Sequence, residues 1–328
     1  MNQEFLEVRG LKKYFEAGRP GLFSKDARKV HAVDGVDLTL RRSEVIALVG
    51  ESGCGKSTLA LLLMGLEDPT EGAVKFEGMD ITHLNDSQRK KKELRRKIQM
   101  VFQDPYESLN PTQTIEEIIT EPLLVHGMAN TPDRDERVKK ALEDAGLKPA
   151  EVYLDRYPHE LSGGQRQRVV VAAALVLEPE IILADEPVSM LDVSIRAEII
   201  NLLAELRITR QIAVIFITHD LGSVGFFADR VAVMYLGRIV EVGTMLEVLE
   251  NPKHPYTKAL ISVIPVPNPR LRHERIILQG ETPNPINIPS GCRFHPRCPV
   301  AIATCKASDP PMVVVNKSHQ AACLLLVK

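Results

Sequence analysis

Val45-Ile46-Ala47-Leu48-Val49-Gly50-Glu51-Ser52-Gly53-Cys54-Gly55-Lys56-Ser57-Thr58 decides the fold of this 328-residue chain. The first five residues are continuously apolar and predict a buried strand. Gly50 to Thr58 fits G-x-x-x-x-G-K-[ST], and the apolar run Thr58 to Met64 predicts the helix that should follow. Strand, glycine loop and helix in that order make a phosphate cradle. Glycines let successive backbone N–H groups turn inward, and the helix N-terminus adds positive potential. Gly50, Ser52, Gly53, Gly55, Lys56, Ser57 and Thr58 are therefore candidate nucleotide contacts. Lys56 is expected to reach the β- and γ-phosphates, and the Ser57 hydroxyl to ligate Mg²⁺. Cys54 is small and expected to point away from the phosphates.

The rest of the chain sets bounds on what surrounds this loop. Hydrophobic residues make up 44% and charged residues 26%, an ordinary globular balance for about two domains. A formal net charge of −2 gives no electrostatic reason to expect nucleic acid as a partner. The longest apolar run, Val169 to Leu177, is nine residues, half of what a spanning helix needs. The start, Met1 to Glu7, has no signal-peptide pattern. The expectation is a cytosolic protein, or one attached to a membrane only through a partner. Its five cysteines are then reduced thiols or metal ligands, and four of them fall in the last 37 residues.

Periodicity predicts strands at Phe5–Arg9, Gly35–Leu40 and Ala73–Gly78, with a surface loop from Glu16 to Lys29. Residues 86–157 are charged, helical in pattern and broken by prolines, and are read as a helical insertion. Beyond Leu161 the order is helix (Gln165–Leu177), strand (Ile181–Ala184), helix (Ser194–Arg207), strand (Ala213–Thr218). That alternation implies a parallel sheet with crossover helices. Val231–Tyr235 and Arg238–Glu241 flank Leu236-Gly237 as a hairpin. After Asn251 periodicity fades, and ten prolines fall between Pro265 and Pro311. The expected organisation is a nucleotide-binding domain over 1–250, a helical subdomain over about 88–157 inserted in it, and a loop-rich region over 251–328.

Four further groups carry chemistry. The strand Ile181–Ala184 ends in Asp185 and Glu186; Asp185 is placed to organise Mg²⁺ beside Ser57, and Glu186 to act as general base on a water. Leu161-Ser162-Gly163-Gly164-Gln165 opens a helix and forms a second anion site. One nucleotide is already served by the first loop, so two anion sites suggest nucleotides held between two chains, head to tail. Gln103 follows a strand-like segment and can ligate Mg²⁺ or orient water. His219 ends a strand and can donate a hydrogen bond to a γ-phosphate.

Together these residues resemble the nucleotide-binding subunit of ABC transporters over essentially the whole chain. The resemblance rests on the Walker A loop Gly50–Thr58, the Q-loop Gln103, the signature Leu161–Gln165, the Walker B run Ile181–Asp185 with Glu186, the D-loop Ser189-Met190-Leu191-Asp192 and the switch His219. It implies an α/β, RecA-like P-loop NTPase core with an antiparallel β subdomain, a helical insertion and the loop-rich C-terminal region. It also implies that ATP lies between Walker A of one subunit and the signature of the other. Phe15 matches the adenine-stacking aromatic by spacing, with Tyr14 as the alternative. Met190 stands where a small residue is commoner.

Within the family the chain is similar to the dipeptide/oligopeptide import ATPases. That likeness is carried by Phe102–Pro111, Arg156–Glu160, Asn251–Thr257 and Gly291–Pro299. It implies two membrane permease subunits, an extracytoplasmic substrate-binding protein and a second ATPase subunit, with a heterodimer expected, at the cytoplasmic face of the plasma membrane. Related members carry peptides, nickel, glutathione or sugars. The alternative is a soluble ABC ATPase acting on nucleic acid or ribosomes, which would need tandem ATPase domains, a long coiled coil, zinc hooks or a basic surface. The basic stretch Arg89–Lys97 reads as a solvated helix face, with anionic lipid as the other option.

Cys292, Cys298, Cys305 and Cys323 are spaced by five, six and seventeen residues. No C-x₂₋₄-C zinc pair and no C-x₂-C-x₂-C run is present. Scattered structural thiols and a metal staple both fit a proline-rich region with little core of its own. Similar tails in the peptide-importer ATPases are associated with a 4Fe–4S cluster. The resemblance therefore implies an iron–sulfur site on the four cysteines, with zinc as runner-up and His295 or His319 as substitute ligands.

Overall fold

The computed structural model describes residues 4–17, 28–83, 88–264 and 275–327. Most of the loop expected over 16–29, and the prolines 265, 267 and 269, lie outside them. The chain forms two compact units that do not follow its linear order. One gathers residues 1–40, 46–83 and 218–328; the other gathers 41–45 and 84–217.

The first unit holds two sets of strands. An antiparallel sheet runs in the order β2 (Arg28–Leu40), β1 (Leu6–Ala17), β4 (Glu71–Phe76), β5 (Met79–Asp80). β1 and β2 are longer than the sequence pattern predicts. Their register runs from Leu6↔Leu40 to Ala17↔Arg28, so cross-strand bonding carries both strands beyond the point where alternation fades. The second set carries the site. β3 (Val45–Val49, all but its first residue here) pairs in parallel with β9 (Arg230–Tyr235). β9 pairs antiparallel with β10 (Arg238–Thr244) through the predicted hairpin, whose Leu236 and Gly237 both have positive φ. Every residue of β3 is buried, which is why its sequence is unbroken apolar. Helix α1 (Lys56–Leu63) follows the loop.

The tail is no separate lobe. β12 (Gln320–Ala321) adds to β10, and β11 (Val313–Val314) pairs with β12. Helices α8 (Met245–Glu250) and α9 (Pro255–Ser262) precede it. A buried carboxylate locks this junction. Glu241 on β10 accepts from the backbone N–H groups of Lys253 and His254 and contacts the His319 ring at 2.7 Å. The His254 ring, stripped of water by burial, is pushed down to a pKa of about 3.

The second unit is a parallel three-stranded arrangement, β6 (Ile98–Val101), β7 (Ile181–Asp185) and β8 (Ala213–Thr218, all but its last residue). Its helices are α2 (Gln88–Lys97), α3 (Pro105–Ser108), α4 (Ile115–Val125), α5 (Arg134–Asp144), α6 (Gly163–Leu175) and α7 (Val193–Thr209). The charged stretch read as one insertion thus contributes a strand as well as helices. Among the described residues no helix is long and apolar enough to cross a membrane.

Candidate functional site

The phosphate loop begins where β3 ends. Gly55 takes φ 107°, a conformation side chains rarely adopt, and a Cβ there would sit 2.0 Å from the Ala32 carbonyl oxygen. Glycine is therefore required, by backbone angle and by space. Gly55 is also the N-cap of α1 and offers no side-chain hydrogen bond to it. The N–H groups of that first turn are left for an external acceptor. Lys56 is buried, with Nζ donating to the Gly50 carbonyl at 2.8 Å and the Glu51 carbonyl at 3.1 Å. Its cation is parked on the loop it would serve. Ser57 is exposed at the start of α1. Cys54 is buried beneath the loop, where burial raises its thiol pKa.

His219, exposed just past the end of β8, belongs to the same unit as the loop. So do both aromatic candidates. Tyr14 donates its hydroxyl to Asp34 and packs on the His31 ring at 4.3 Å. Phe15 keeps a ring 36% exposed, with Lys13 Nζ 4.9 Å from its centroid. Of the two rings, only Tyr14 is committed to an internal hydrogen bond.

The second unit brings the other residues together. Asp185 closes β7, and Glu186 follows at φ 45°, a left-handed angle unusual for a residue with a Cβ. Such strain costs about 1–3 kcal/mol and must be held by its surroundings. Here the Glu186 N–H bonds to the Ile217 carbonyl at 3.0 Å, while its own carbonyl accepts from Ser189. The bend turns the chain sharply between the two carboxylates. Gln103 is exposed after β6, just before the Asp104 cap of α3. The signature glycines open α6 behind Ser162. Ser162 and Gln165 form a reciprocal cap: the Ser162 hydroxyl accepts from the Gln165 N–H at 3.3 Å, and Gln165 Oε1 accepts from the Ser162 N–H at 3.0 Å. The Gly163 and Gly164 N–H groups stay outside that exchange. Asp192 is the exposed N-cap of α7 and makes no side-chain capping bond.

The structure also gathers the tail thiols. Cys292, Cys305 and Cys323 are buried and Cys298 is partly so. Burial first, then the neighbouring thiols of Cys305, Cys298 and Cys323, push the Cys292 thiol up to about 11. The Cys292 N–H donates to the Cys305 carbonyl at 2.9 Å. Four soft donors in one region suit iron–sulfur or zinc in kind. Their positions are not closed to ligand geometry: among the described residues no group of three or more His, Cys, Asp or Glu side chains is set to hold a metal ion. His295 Nδ1 lies 2.9 Å from the Cys292 carbonyl and His319 is engaged with Glu241.

One group went unread in the sequence. Glu51, the second residue of the phosphate loop, is gripped by Tyr256, Thr282 and Arg297. These partners lie 205 to 246 residues away, and no local pattern announces such a contact.

Residues 33–189 match the family described as ABC transporter, and residues 240–305 match the oligopeptide/dipeptide transporter C-terminal region. The chain is 49% identical over 327 residues to the oligopeptide transport ATP-binding protein AppF of Bacillus subtilis, covering 99% of this chain and 98% of that one. It is 48% identical to the dipeptide transport ATP-binding protein DppF of Haemophilus influenzae, over 98% of this chain and 97% of that protein. Among solved structures, the ATP-binding cassette MJ0796 in a dimeric post-hydrolysis state with ADP and Pi is 30% identical, with a TM-score of 0.63 over 73% of this chain and 98% of that one. The cbiO1 structure from Clostridium perfringens, part of the transporter complex cbiONQ, is 31% identical with a TM-score of 0.63, over 76% and 91%.

Proposed function

The chain belongs to the ATP-binding subunits of ABC transporters, in their oligopeptide/dipeptide class, and on that premise we propose how its residues do the work. It is an ATPase with the P-loop α/β fold, a peripheral subunit that powers import of peptides or a related small solute through separate membrane permeases. The observation that carries the residue-level reading is the uncapped N-terminus of α1 behind Gly55, with Lys56 buried beside it.

The α1 N–H groups and the loop hold the β- and γ-phosphates, and Lys56 leaves the Gly50 and Glu51 carbonyls to pair with them. Ser57, Asp185 and Gln103 would hold Mg²⁺, to which they offer the hard oxygen donors it prefers. Mg²⁺ held there would neutralise phosphate charge. Glu186 accepts a proton from the attacking water, Gln103 orients that water, and His219 donates to the γ-phosphate. Phe15 stacks on adenine. Ser162, Gly163, Gly164 and Gln165 close over the nucleotide of a second ATPase subunit, with Asp192 at the same junction; that subunit is a different chain. Two permeases and an extracytoplasmic binding protein complete the assembly at the cytoplasmic face of the membrane. Residues 1–250 are the nucleotide-binding part and 251–328 the transporter-type tail.

We further propose a 4Fe–4S cluster on Cys292, Cys298, Cys305 and Cys323, with zinc as the second choice. The gathering of four thiols in a proline-rich tail supports it. Anaerobic purification should give a brown protein with about four iron and four sulfide per chain. Cys298→Ser should bleach it, and a colourless, metal-free wild type with an ordered tail defeats the proposal.

Glu186→Gln tests the catalytic reading. It should bind ATP normally yet lose turnover by about 10²–10⁴-fold, because only the proton acceptor is gone. Lys56→Ala should instead lose nucleotide affinity. Near wild-type hydrolysis by Glu186→Gln overturns the assignment.

A further inference from the structure

Among the described residues, three of the tail, Tyr256, Thr282 and Arg297, bond to Glu51 of the phosphate loop. Its N–H donates to the Tyr256 hydroxyl at 2.9 Å. Its carboxylate takes both terminal nitrogens of Arg297, Nη1 to Oε2 at 2.7 Å and Nη2 to Oε1 at 3.1 Å. The Thr282 hydroxyl donates to the same Oε2, and Arg297 Nη1 also reaches that hydroxyl at 3.2 Å. The planar guanidinium matches a carboxylate at two points, which fixes orientation as well as distance. The Arg297 side chain is only 9% exposed and that of Glu51 28%. Burial works against the Glu51 charge, and the Arg297 and Thr282 hydrogen bonds overcome it to hold the carboxyl below the usual range.

Arg297 is the residue before Cys298, in the turn His295–Arg297 between two of the tail cysteines. The other end of that segment is pinned as well. Arg293, next to Cys292, donates to the Asp34 carboxylate and to the Leu236 carbonyl. The Asp34 N–H bonds to the Gly237 carbonyl at 2.8 Å, and the Gly237 N–H bonds to the Cys54 carbonyl at 2.8 Å. Both arginines therefore lead from the cysteine segment to the phosphate loop, one directly and one through Asp34 and Gly237. Tail glue alone would need neither route to end at the loop. Lys56 steadies the Gly50 and Glu51 carbonyls only until it turns to phosphate. The Arg297 grip on Glu51 does not depend on Lys56.

We infer that Arg297 is a positioning residue for the phosphate loop, through which the Cys292–Cys298 segment sets how tightly the chain takes nucleotide. The inference rests on the ATP-site reading above.

The test is a double-mutant cycle, read as affinity of the purified full-length chain for a fluorescent ATP analogue and as KM and kcat for ATP of the chain assembled with its partner ATPase subunit. Glu51→Gln and Arg297→Gln should each weaken affinity about tenfold, and the double variant should be no weaker than either single, because both break one contact. KM should rise while kcat is largely kept, since Glu186 is untouched. Thr282→Val and Arg297→Lys are the milder probes if a Gln variant does not fold; each should weaken affinity about threefold. A contact that only glues the tail would lower the melting temperature and leave KM alone. That outcome, additive losses in the cycle, or wild-type affinity in both mild probes overturns the inference. Lys56→Ala separates the two claims. If it binds the analogue like wild type, the ATP-site reading itself fails; if it loses binding while the Arg297 and Glu51 variants keep theirs, only the inference fails.

Discussion

Two helices of this chain begin behind glycine-rich turns, and they solve the same problem in opposite ways. α1 starts at Gly55 with no side-chain cap and a left-handed backbone angle. α6 starts at Ser162 inside a complete cap, each of Ser162 and Gln165 bonding the other's N–H. A helix end leaves four N–H groups without internal partners, and each such group wants an acceptor. At α1 the acceptor must come from outside, and a buried cation waits with it. At α6 the chain supplies part of it. The first turn is thus built to seize an anion. The second is built to keep its shape without one, and it leaves the Gly163 and Gly164 N–H groups outside the Ser162–Gln165 exchange. Under the proposed function, this difference suits the two halves of a shared, head-to-tail nucleotide site.

The harshest way to break the contrast is at Gly55. Gly55→Ala faces a forbidden φ and a Cβ 2.0 Å from a backbone oxygen, and backbone cannot swing aside. Nucleotide affinity should fall by more than about 100-fold, with a lowered melting temperature, since strain of this kind costs several kcal/mol. Binding by calorimetry, beside circular dichroism, checks it. A folded Gly55→Ala protein that binds ATP normally ends the claim that this turn is shaped for phosphate.

That the first turn could be read from sequence, and much else could not, has a physical basis. Val45–Val49 and Ile181–Asp185 announce themselves because buried parallel strands are apolar on both faces, and Val193–Thr209 because its apolar residues recur at helical spacing. Gly55 and Lys56 declare their chemistry within nine residues. The extension of β1 to Ala17 is invisible because Lys12–Ala17 has no alternation; its partners on β2 make it a strand. The reach of Arg297 to Glu51 spans 246 residues, a distance over which no periodicity carries information. Spacings of five, six and seventeen do not reveal that the four thiols share one region, because the turns between them decide it.

A gentler probe is Gly164→Ala. The added Cβ would meet Ile195 Cγ2 at 2.7 Å, the branch methyl of a β-branched side chain in α7 that moves only with χ1, but Gly164 has no left-handed angle. The fold should survive with a modestly lowered melting temperature, because alanine gains about 1 kcal/mol of helix propensity over glycine and offsets only part of the crowding. ATP turnover should fall several-fold while affinity for nucleotide in the single chain stays put. Ser162→Ala should cost about 1 kcal/mol of stability by urea titration, the ordinary loss of a cap. Loss of single-chain affinity in either variant, comparable to that of Gly55→Ala, would erase the distinction between the two turns.

The finest test concerns why the α6 cap uses a neutral partner. The same reciprocal cap occurs at Thr244–Glu247, built with a carboxylate, so Gln is not required by geometry. There the Thr244 hydroxyl first, then that of Ser318, hold Glu247 down to about 2. A carboxylate whose folded pKa is lowered contributes stability that is present above its unfolded value of 4.5 and lost as pH falls toward 2. Gln165→Glu should behave alike. At pH 7 its stability should equal or slightly exceed wild type, by about 0.3–1 kcal/mol, because negative charge favours a helix N-terminus. That gain should vanish between about pH 4.5 and 2, where wild-type α6 has nothing to titrate. Function should move the other way. A charge beside the Gly163 and Gly164 N–H groups repels phosphate, so ATP turnover should drop, and by the same factor from pH 6 to 8, since the cap keeps the carboxylate ionised throughout. Urea titrations across pH and a turnover profile separate the two effects. Unchanged turnover in a fully stable Gln165→Glu protein would mean that the α6 turn meets no anion, and that its resemblance to the α1 turn is one of shape alone.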